Sequence, residues 1–423
     1  MSAIIGRREF IAGAFAFGLA PQLGWAAGTG RWPRVQALLD GYVASKQFAF
    51  ASAALLAGGD QVDYLNAGTL AFDSRVAADE NTLCRIHSMS KPLTAAAAMI
   101  LIEDGKMSLD QPVADVFPSW KGMKVATNVD ASLDARPART VLTMRHLLTH
   151  TAGLVYPYFP AGKLSEAYAA RGITPGLNIP AGKAKPGDRQ AHSLAEMIER
   201  LADLPLLFDP GTQWHYSIGL DVMGAVIEKV SGMGFDAFLK QRLFDPLDMA
   251  STGFVVAPKD YPRLATLYQL TDKGQTVSDV APGSFAEKPQ LLSGGGGIVS
   301  SARDYIRFGR MLLGRGQLGS VRVMKESSAA TMMSNLLEGG VRDNGGNGYG
   351  AGGRFVLPGP TGRYGAPGSY GWGGHASSLF TVDPARRQLM VFMTRRMPSE
   401  KSPAPRELPA AIAADLAARP VAA

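Results

Sequence analysis

Ser88 and Lys91 stand three residues apart in the run Arg85-Ile86-His87-Ser88-Met89-Ser90-Lys91-Pro92-Leu93-Thr94, and no other serine in the chain has a lysine at that spacing. The residues that follow, Ala95 to Leu101, are apolar and alanine-rich, so the segment reads as the first turn of a buried helix. Residues three apart share a helix face, which lets the Ser88 hydroxyl meet the Lys91 amine. An aliphatic hydroxyl becomes a nucleophile when a neighbouring base takes its proton, and a desolvated lysine can serve. The positive end of the helix favours negative charge developing on Ser88.

Two further stretches carry suitable side chains. Tyr216 follows the turn Asp209-Pro210-Gly211 and precedes a helix at Asp221, a place from which a phenol can project into a cleft. Beside positive charge a phenol can act as a base. Tyr370-Gly371-Trp372-Gly373-Gly374-His375 joins an indole to two adjacent glycines, which permit close backbone approach. His375 reads equally as a titrating group and as an exposed strand histidine.

His87, His146, His150 and His215 are candidate metal ligands, since His146 and His150 have the i,i+4 spacing that can hold zinc. No glutamate lies between them and no third ligand follows, so a structural role, capping or bonding backbone, is the preferred reading. No metal and no cofactor are implied. Cys84 is the only cysteine; it excludes an intramolecular disulfide and reads as a small buried hydrophobe.

These residues need a scaffold. Val35 to Lys46 reads as an amphipathic helix, and Ala51 to Ala57 with Val62 to Thr69 as a hairpin turning at Gly58-Gly59-Asp60. The Ser88 helix ends at Glu103 to Lys106; another begins at Thr143 and closes at Gly153. Tyr156 to Gln190 reads as a long surface loop able to cover a cleft, with Tyr156, Tyr158 and Phe159 in it. Helical periodicity returns over 193–204, 221–231 and 235–243, and Ser300 to Asp304 has the chemistry of a helix start. Gly294-Gly295-Gly296-Gly297 lacks the lysine-serine ending of a phosphate loop. Ser378 to Val382 and Leu389 to Thr394 form a second strand pair, and a helix over 407–418 follows. Strands towards both ends with helices between them give an α/β protein with a mainly helical insertion.

The chain of 423 residues can bury a large core, and its hydrophobic (46%) and charged (19%) contents are those of a globular protein. A formal net charge of +7 without a Lys/Arg run argues against a nucleic-acid partner. Arg7-Arg8-Glu9-Phe10-Ile11, followed by an uncharged stretch through Ala27, has the twin-arginine export layout, with cleavage after Ala26 or Ala27. The apolar part is broken by Pro21 and is short for a membrane span, so a periplasmic or secreted protein without a stable span is expected.

In order, Ser88-x-x-Lys91, the phrase Leu147-Leu148-Thr149-His150-Thr151-Ala152-Gly153-Leu154, the Tyr216 turn and the late glycine-rich strand resemble the serine β-lactamase and penicillin-binding superfamily. The class C arm is nearest, and within it the family-eight carboxylesterases. The resemblance implies a β-lactamase-like fold: an antiparallel sheet built from both chain ends (28–86 and 290–423), flanked by helices, with the helical region 87–289 inserted. It implies Ser88 as the acylated nucleophile, Lys91 as its partner and Tyr216 as the tyrosine of the Tyr-x-Asn element, whose third position here is Ile218. A literal Tyr64-Leu65-Asn66 lies on the early hairpin and is read as coincidental. The Lys-Thr-Gly element is missing; its counterpart is Trp372-Gly373-Gly374, and the backbone N–H groups of Ser88 and His375 would form the oxyanion hole.

Both departures disfavour β-lactams. The lysine and threonine that contact a substrate carboxylate are replaced by Trp372, and the amide-binding asparagine by Ile218. Trp372, Gly373, Gly374, Tyr156 and Ile218 are therefore expected to line the site for a short-chain or small uncharged ester. The competing readings are a β-lactamase or D,D-peptidase, an amide or oligomer hydrolase of the same fold, and a penicillin-binding-like sensor without turnover. Arg342 or Arg363 could restore the lost charge.

Overall fold

The computed structural model describes residues 29–175, 190–277, 287–359 and 365–419; the export segment expected at 1–27 lies outside them. The first described part gives helix α1 (Pro33–Ala44), opened by a proline whose fixed φ suits a helix start, and the antiparallel hairpin β1 (Phe50–Ala57) and β2 (Asp63–Gly68). Strand β3 (Cys84–Arg85) leads through a 3-10 turn, His87–Met89, into α2 (Ser90–Glu103). Ser88 thus sits on the tight turn before the helix, not in its first turn, and Lys91 is the helix's second residue. Every residue of α2 from Ser90 to Leu101 is buried.

Helix α3 (Met144–Thr149) opens with a capping box in which His146 replaces the usual glutamate. It closes at His150, in the left-handed region at φ 60°, and not at Gly153 as expected. The His150 ring packs against Trp214, Tyr216 and Tyr349, and its Nδ1 accepts from Ser217 N (3.3 Å), contacts that hold the unusual backbone. The stretch expected to be a surface loop also differs. Its described part contains α4 (Gly162–Ala170), and Tyr156, Leu164, Tyr168 and Ile173 are buried, because these apolar side chains are spaced to pack inward. Residues 176–189 of it lie outside the described chain.

Helices α5 (Leu194–Ala202), α6 (Gly219–Ser231) and α7 (Phe235–Leu239) follow, close to their expected positions. Strand β4 (Val299–Ser300) pairs antiparallel with β3, Arg85 opposite Val299. Helix α8 (Ala302–Leu313) is capped by Ser301, whose hydroxyl accepts from Asp304 N, as the sequence chemistry implied. After α9 (Glu326–Met332) come β5 (Gly348–Tyr349), β6 (Arg354–Phe355), β7 (Tyr370–Gly373), β8 (Leu379–Asp383), β9 (Gln388–Met393) and α10 (Ala404–Ala417).

The main sheet runs β5-β6-β7-β8-β9-β1-β2, with every neighbouring pair antiparallel. Early and late strands meet where β1 pairs with β9, Ala54 opposite Val391. Strand β1 is buried along its whole length and divides its side chains by twos. Phe50, Ala54 and Leu56 join the large core with α2 and α6, while Ala51, Ala53 and Leu55 pack with Trp32 and Leu39 near α1 and Leu408 of α10. The expected α/β class, an antiparallel sheet from both chain ends flanked by helices, is the observed one.

Candidate active site

Ser88 Oγ is approached from two sides. Tyr216 Oη donates to it at 2.6 Å and Lys91 Nζ at 3.2 Å. Tyr216 precedes α6, and the helix docks tightly because Gly219 leaves no side chain between it and the Leu147 carbonyl of α3. The ammonium lies 4.5 Å from the Tyr216 ring centroid and 5.4 Å from that of Tyr156. Lys91 is wholly buried, and its Nζ also donates to the Gly295 carbonyl at 2.8 Å. The structure thus brings together the three groups singled out in the sequence, although Tyr216 is far from the others along the chain.

The glycine run 294–297 forms the wall behind the lysine. Pairing of β3 with β4 brings it there, and Thr94 Oγ1 donates to the Gly294 carbonyl at 2.7 Å. A Cβ on Gly295 would lie 2.5 Å from Asp221 Oδ2 and 2.6 Å from the Tyr156 hydroxyl, so only glycine fits. Asp221 is buried in α6 and accepts from Ser293 Oγ, Gly295 N and Tyr156 Oη. Sequence reasoning passed over Asp221, Ser293 and Gly295. A charged residue on an otherwise apolar helix face was the available signal.

A cavity of about 1100 Å³ has Ser88 and Tyr216 in its wall, whereas Lys91 is sealed behind them. Tyr156, Phe159, Trp214 and Trp372 give it an aromatic lining. Trp372 packs on Tyr216 (ring centroids 5.7 Å apart) and on Tyr349 (5.2 Å). Gly373, Gly374 and His375 also line it. Gly374 stands where a Cβ would meet the Ile86 carbonyl at 2.5 Å, so the end of β7 lies directly against the nucleophile turn. Among the described residues, neither the Ser88 nor the His375 N–H donates to another group.

Ile218 does not line this cavity. It is fully buried just before α6, where its apolar side chain belongs to the core, so its expected place in the substrate wall is corrected. Tyr64 and Asn66 lie on β2 and are likewise absent from the lining. Arg342 is exposed and donates to the neighbouring Val341 carbonyl, and Arg363 lies outside the described residues. The arginines in the wall are Arg85 and Arg354. Arg354 stacks 4.9 Å over the Trp372 ring and pairs with the buried Asp343 at 2.5 Å.

Burial holds the His87 and His150 imidazoles well below the ordinary histidine range, with neighbouring positive charge acting in the same direction, so both are neutral. Burial also raises the Tyr156 phenol well above its usual range, and the nearby Asp221 adds to this. The Cys84 thiol is pushed up to about 12 by burial, consistent with an inert core residue. His146 accepts from Thr143 N at its helix start, a capping role of the kind preferred from sequence.

The fold and the cluster around Ser88 define a serine hydrolase of the β-lactamase type. The protein-family model described as Beta-lactamase matches residues 35–415, and the chain belongs to that family. Protein Rv1367c of Mycobacterium tuberculosis is 30% identical over 345 residues, 77% of this chain and 80% of that one. Esterase EstB of Burkholderia gladioli is 31% identical over 244 residues, 54% of this chain and 56% of the esterase. The solved structure of EstCE1, described as a hydrolase with promiscuous acyltransferase activity, superposes with a TM-score of 0.74 at 25% identity, covering 90% of this chain and 97% of that one.

Proposed function

We propose that the protein is an exported carboxylesterase that hydrolyses short-chain or small uncharged esters through an acyl-enzyme on Ser88. The observation that carries this reading is the pair of contacts on Ser88 Oγ, from Tyr216 and from the buried Lys91, at the wall of an aromatic cavity. As Ser88 Oγ attacks the ester carbonyl carbon, its proton passes to the Lys91–Tyr216 pair and from there to the departing alkoxide. Water then enters along the reverse proton path and releases the acid. The N–H groups of Ser88 and His375, which have no described partner, would hold the oxyanion, a contribution of a few kcal/mol.

Trp372 supplies an apolar wall where β-lactam-binding relatives place lysine and threonine, and this supports an ester without a carboxylate. The EstB and EstCE1 relatives are named for esterase and hydrolase chemistry, which supports the same reading. Arg7, Arg8 and the uncharged segment after them support export by the twin-arginine route. No helix among the described residues is long and apolar enough to cross a membrane.

One observation favours a second reading. Arg85 lies in the cavity wall and suits an ester bearing a carboxylate. Purified protein is assayed with p-nitrophenyl butyrate, its carboxylated analogue p-nitrophenyl hemisuccinate, and nitrocefin. Higher kcat/KM for the butyrate supports the proposal, and higher kcat/KM for the hemisuccinate supports the second reading. Nitrocefin turnover at or above the butyrate value overturns the esterase assignment in favour of a β-lactamase.

A further inference from the structure

Asp221 is wholly buried, and the proton path described above does not use it. Three donors converge on its two oxygens. Ser293 Oγ (2.5 Å) and Gly295 N (2.9 Å) reach Oδ1, and the Tyr156 hydroxyl (3.2 Å) reaches Oδ2. Burial raises this carboxyl above the ordinary range, while Lys91 and the three donors favour its ionised form. One residue links this carboxylate to the catalytic lysine. The same Gly295 whose N–H reaches Asp221 accepts Lys91 Nζ on its carbonyl at 2.8 Å.

The titratable groups acting on the Lys91 amine come from every element around it. His87 belongs to the turn before α2 and His150 ends α3; both are neutral. Tyr216 and Tyr156 present their rings. Asp221, on α6, is the acidic member of the set, and the Lys91 charge acts on it. Around Asp221 itself stand Lys91, Tyr156 and Tyr158.

The geometry points to Asp221 as the counter-charge and positioning residue of Lys91, holding the amine against Ser88 through the Gly295 backbone. The inference rests on the proposed role of Lys91 as proton acceptor for Ser88.

The test is the rate of Ser88 labelling by a fluorophosphonate across pH, which requires no ester turnover. A nearby carboxylate favours the protonated amine, so Asp221→Asn releases that proton more easily. The acid limb of the labelling profile should move to lower pH by about one unit, with the plateau rate about tenfold lower as the clamp loosens. An unmoved limb in folded Asp221→Asn overturns the proposal. Ser293→Ala removes a hydrogen bond and keeps the charge, so its limb should stay close to that of the wild type. A limb that moves as far in Ser293→Ala as in Asp221→Asn also overturns it.

If Asp221→Asn does not fold, the double variant Lys91→Met/Asp221→Asn decides. Recovery of a cooperative thermal transition supports the charge pair, and continued failure overturns it. Wild-type protein that is labelled, with the limb shifted as expected in Asp221→Asn, yet hydrolyses no ester sinks the esterase reading alone. Wild-type protein that is not labelled at all sinks both.

Discussion

The Tyr216 hydroxyl lies 2.6 Å from Ser88 Oγ although the two residues are 128 positions apart. Lys91, by contrast, reaches Ser88 from the adjoining helix turn. The local pair is a matter of helical spacing. The long-range contact depends on α6 docking against α2 and α3, which the small residue Gly219 permits.

Ser88→Ala is expected to abolish both ester hydrolysis and labelling by a serine-directed phosphonate. The variant removes only an oxygen on a tight turn, so the fold should be kept. Mass spectrometry of the labelled protein checks this, and retained labelling would move the nucleophile elsewhere.

Tyr216→Phe and Lys91→Ala should each lower kcat by two or more orders of magnitude, the contribution expected of groups that move a proton. In Tyr216→Phe the ring keeps its packing on His150, Trp214 and Trp372, so the melting temperature should change little. Near-normal kcat in that variant would reduce Tyr216 to a structural aromatic.

Gly374→Ala places a methyl group 2.5 Å from the Ile86 carbonyl. The end of β7 and the nucleophile turn must then separate, at a cost of about 1–3 kcal/mol for such overpacking. Activity should fall by about tenfold or more, because small displacements at reacting groups are costly. Gly373→Ala meets its nearest neighbour, the Ser378 carbonyl, at 3.2 Å and should be milder in both respects. Equal effects at the two positions would contradict the close approach at 374.

Stability should fall as pH drops from 7 towards 5. His87 and His150 bind a proton less readily when folded than when unfolded, where histidine titrates near about 6.5. Their contribution is complete above that pH and is lost below it, at about 1.4 kcal/mol per pH unit for each. Asp221, raised by burial, acts with the opposite sign. Comparing urea unfolding of the wild type with that of His150→Gln isolates one histidine: the variant's pH slope should be flatter. An identical slope would show that His150 binds its proton equally in the folded and unfolded states.

Much of the architecture was legible because its signals are local. The hairpin of β1 and β2, the α8 start at Ser301 and the β8–β9 pair follow from alternation, capping and turn residues. Ser88, Lys91 and Tyr216 were legible because a spacing and a turn mark them. Ile218 was misplaced because its neighbour Tyr216 faces the cavity, and nothing in the sequence tells which side of the turn each faces. The stretch after Tyr156 was misread because glycine and proline hid the short apolar repeat of α4. Asp221 and Gly295 meet only through tertiary packing. Their partners lie on different elements, so no local pattern reveals them.

The pairing of β1 with β9 bears on how the protein comes into being on the ribosome. The nucleophile turn is synthesised early, but its facing strand, β7, joins a sheet whose centre is closed by β9, at Gln388–Met393. A nascent chain that has emerged only as far as α9 carries Ser88, Lys91 and Tyr216 without the glycine strand opposite them. Its β1 then exposes the edge that β9 will occupy. The candidate site is thereby complete only once translation has passed the last sheet strand.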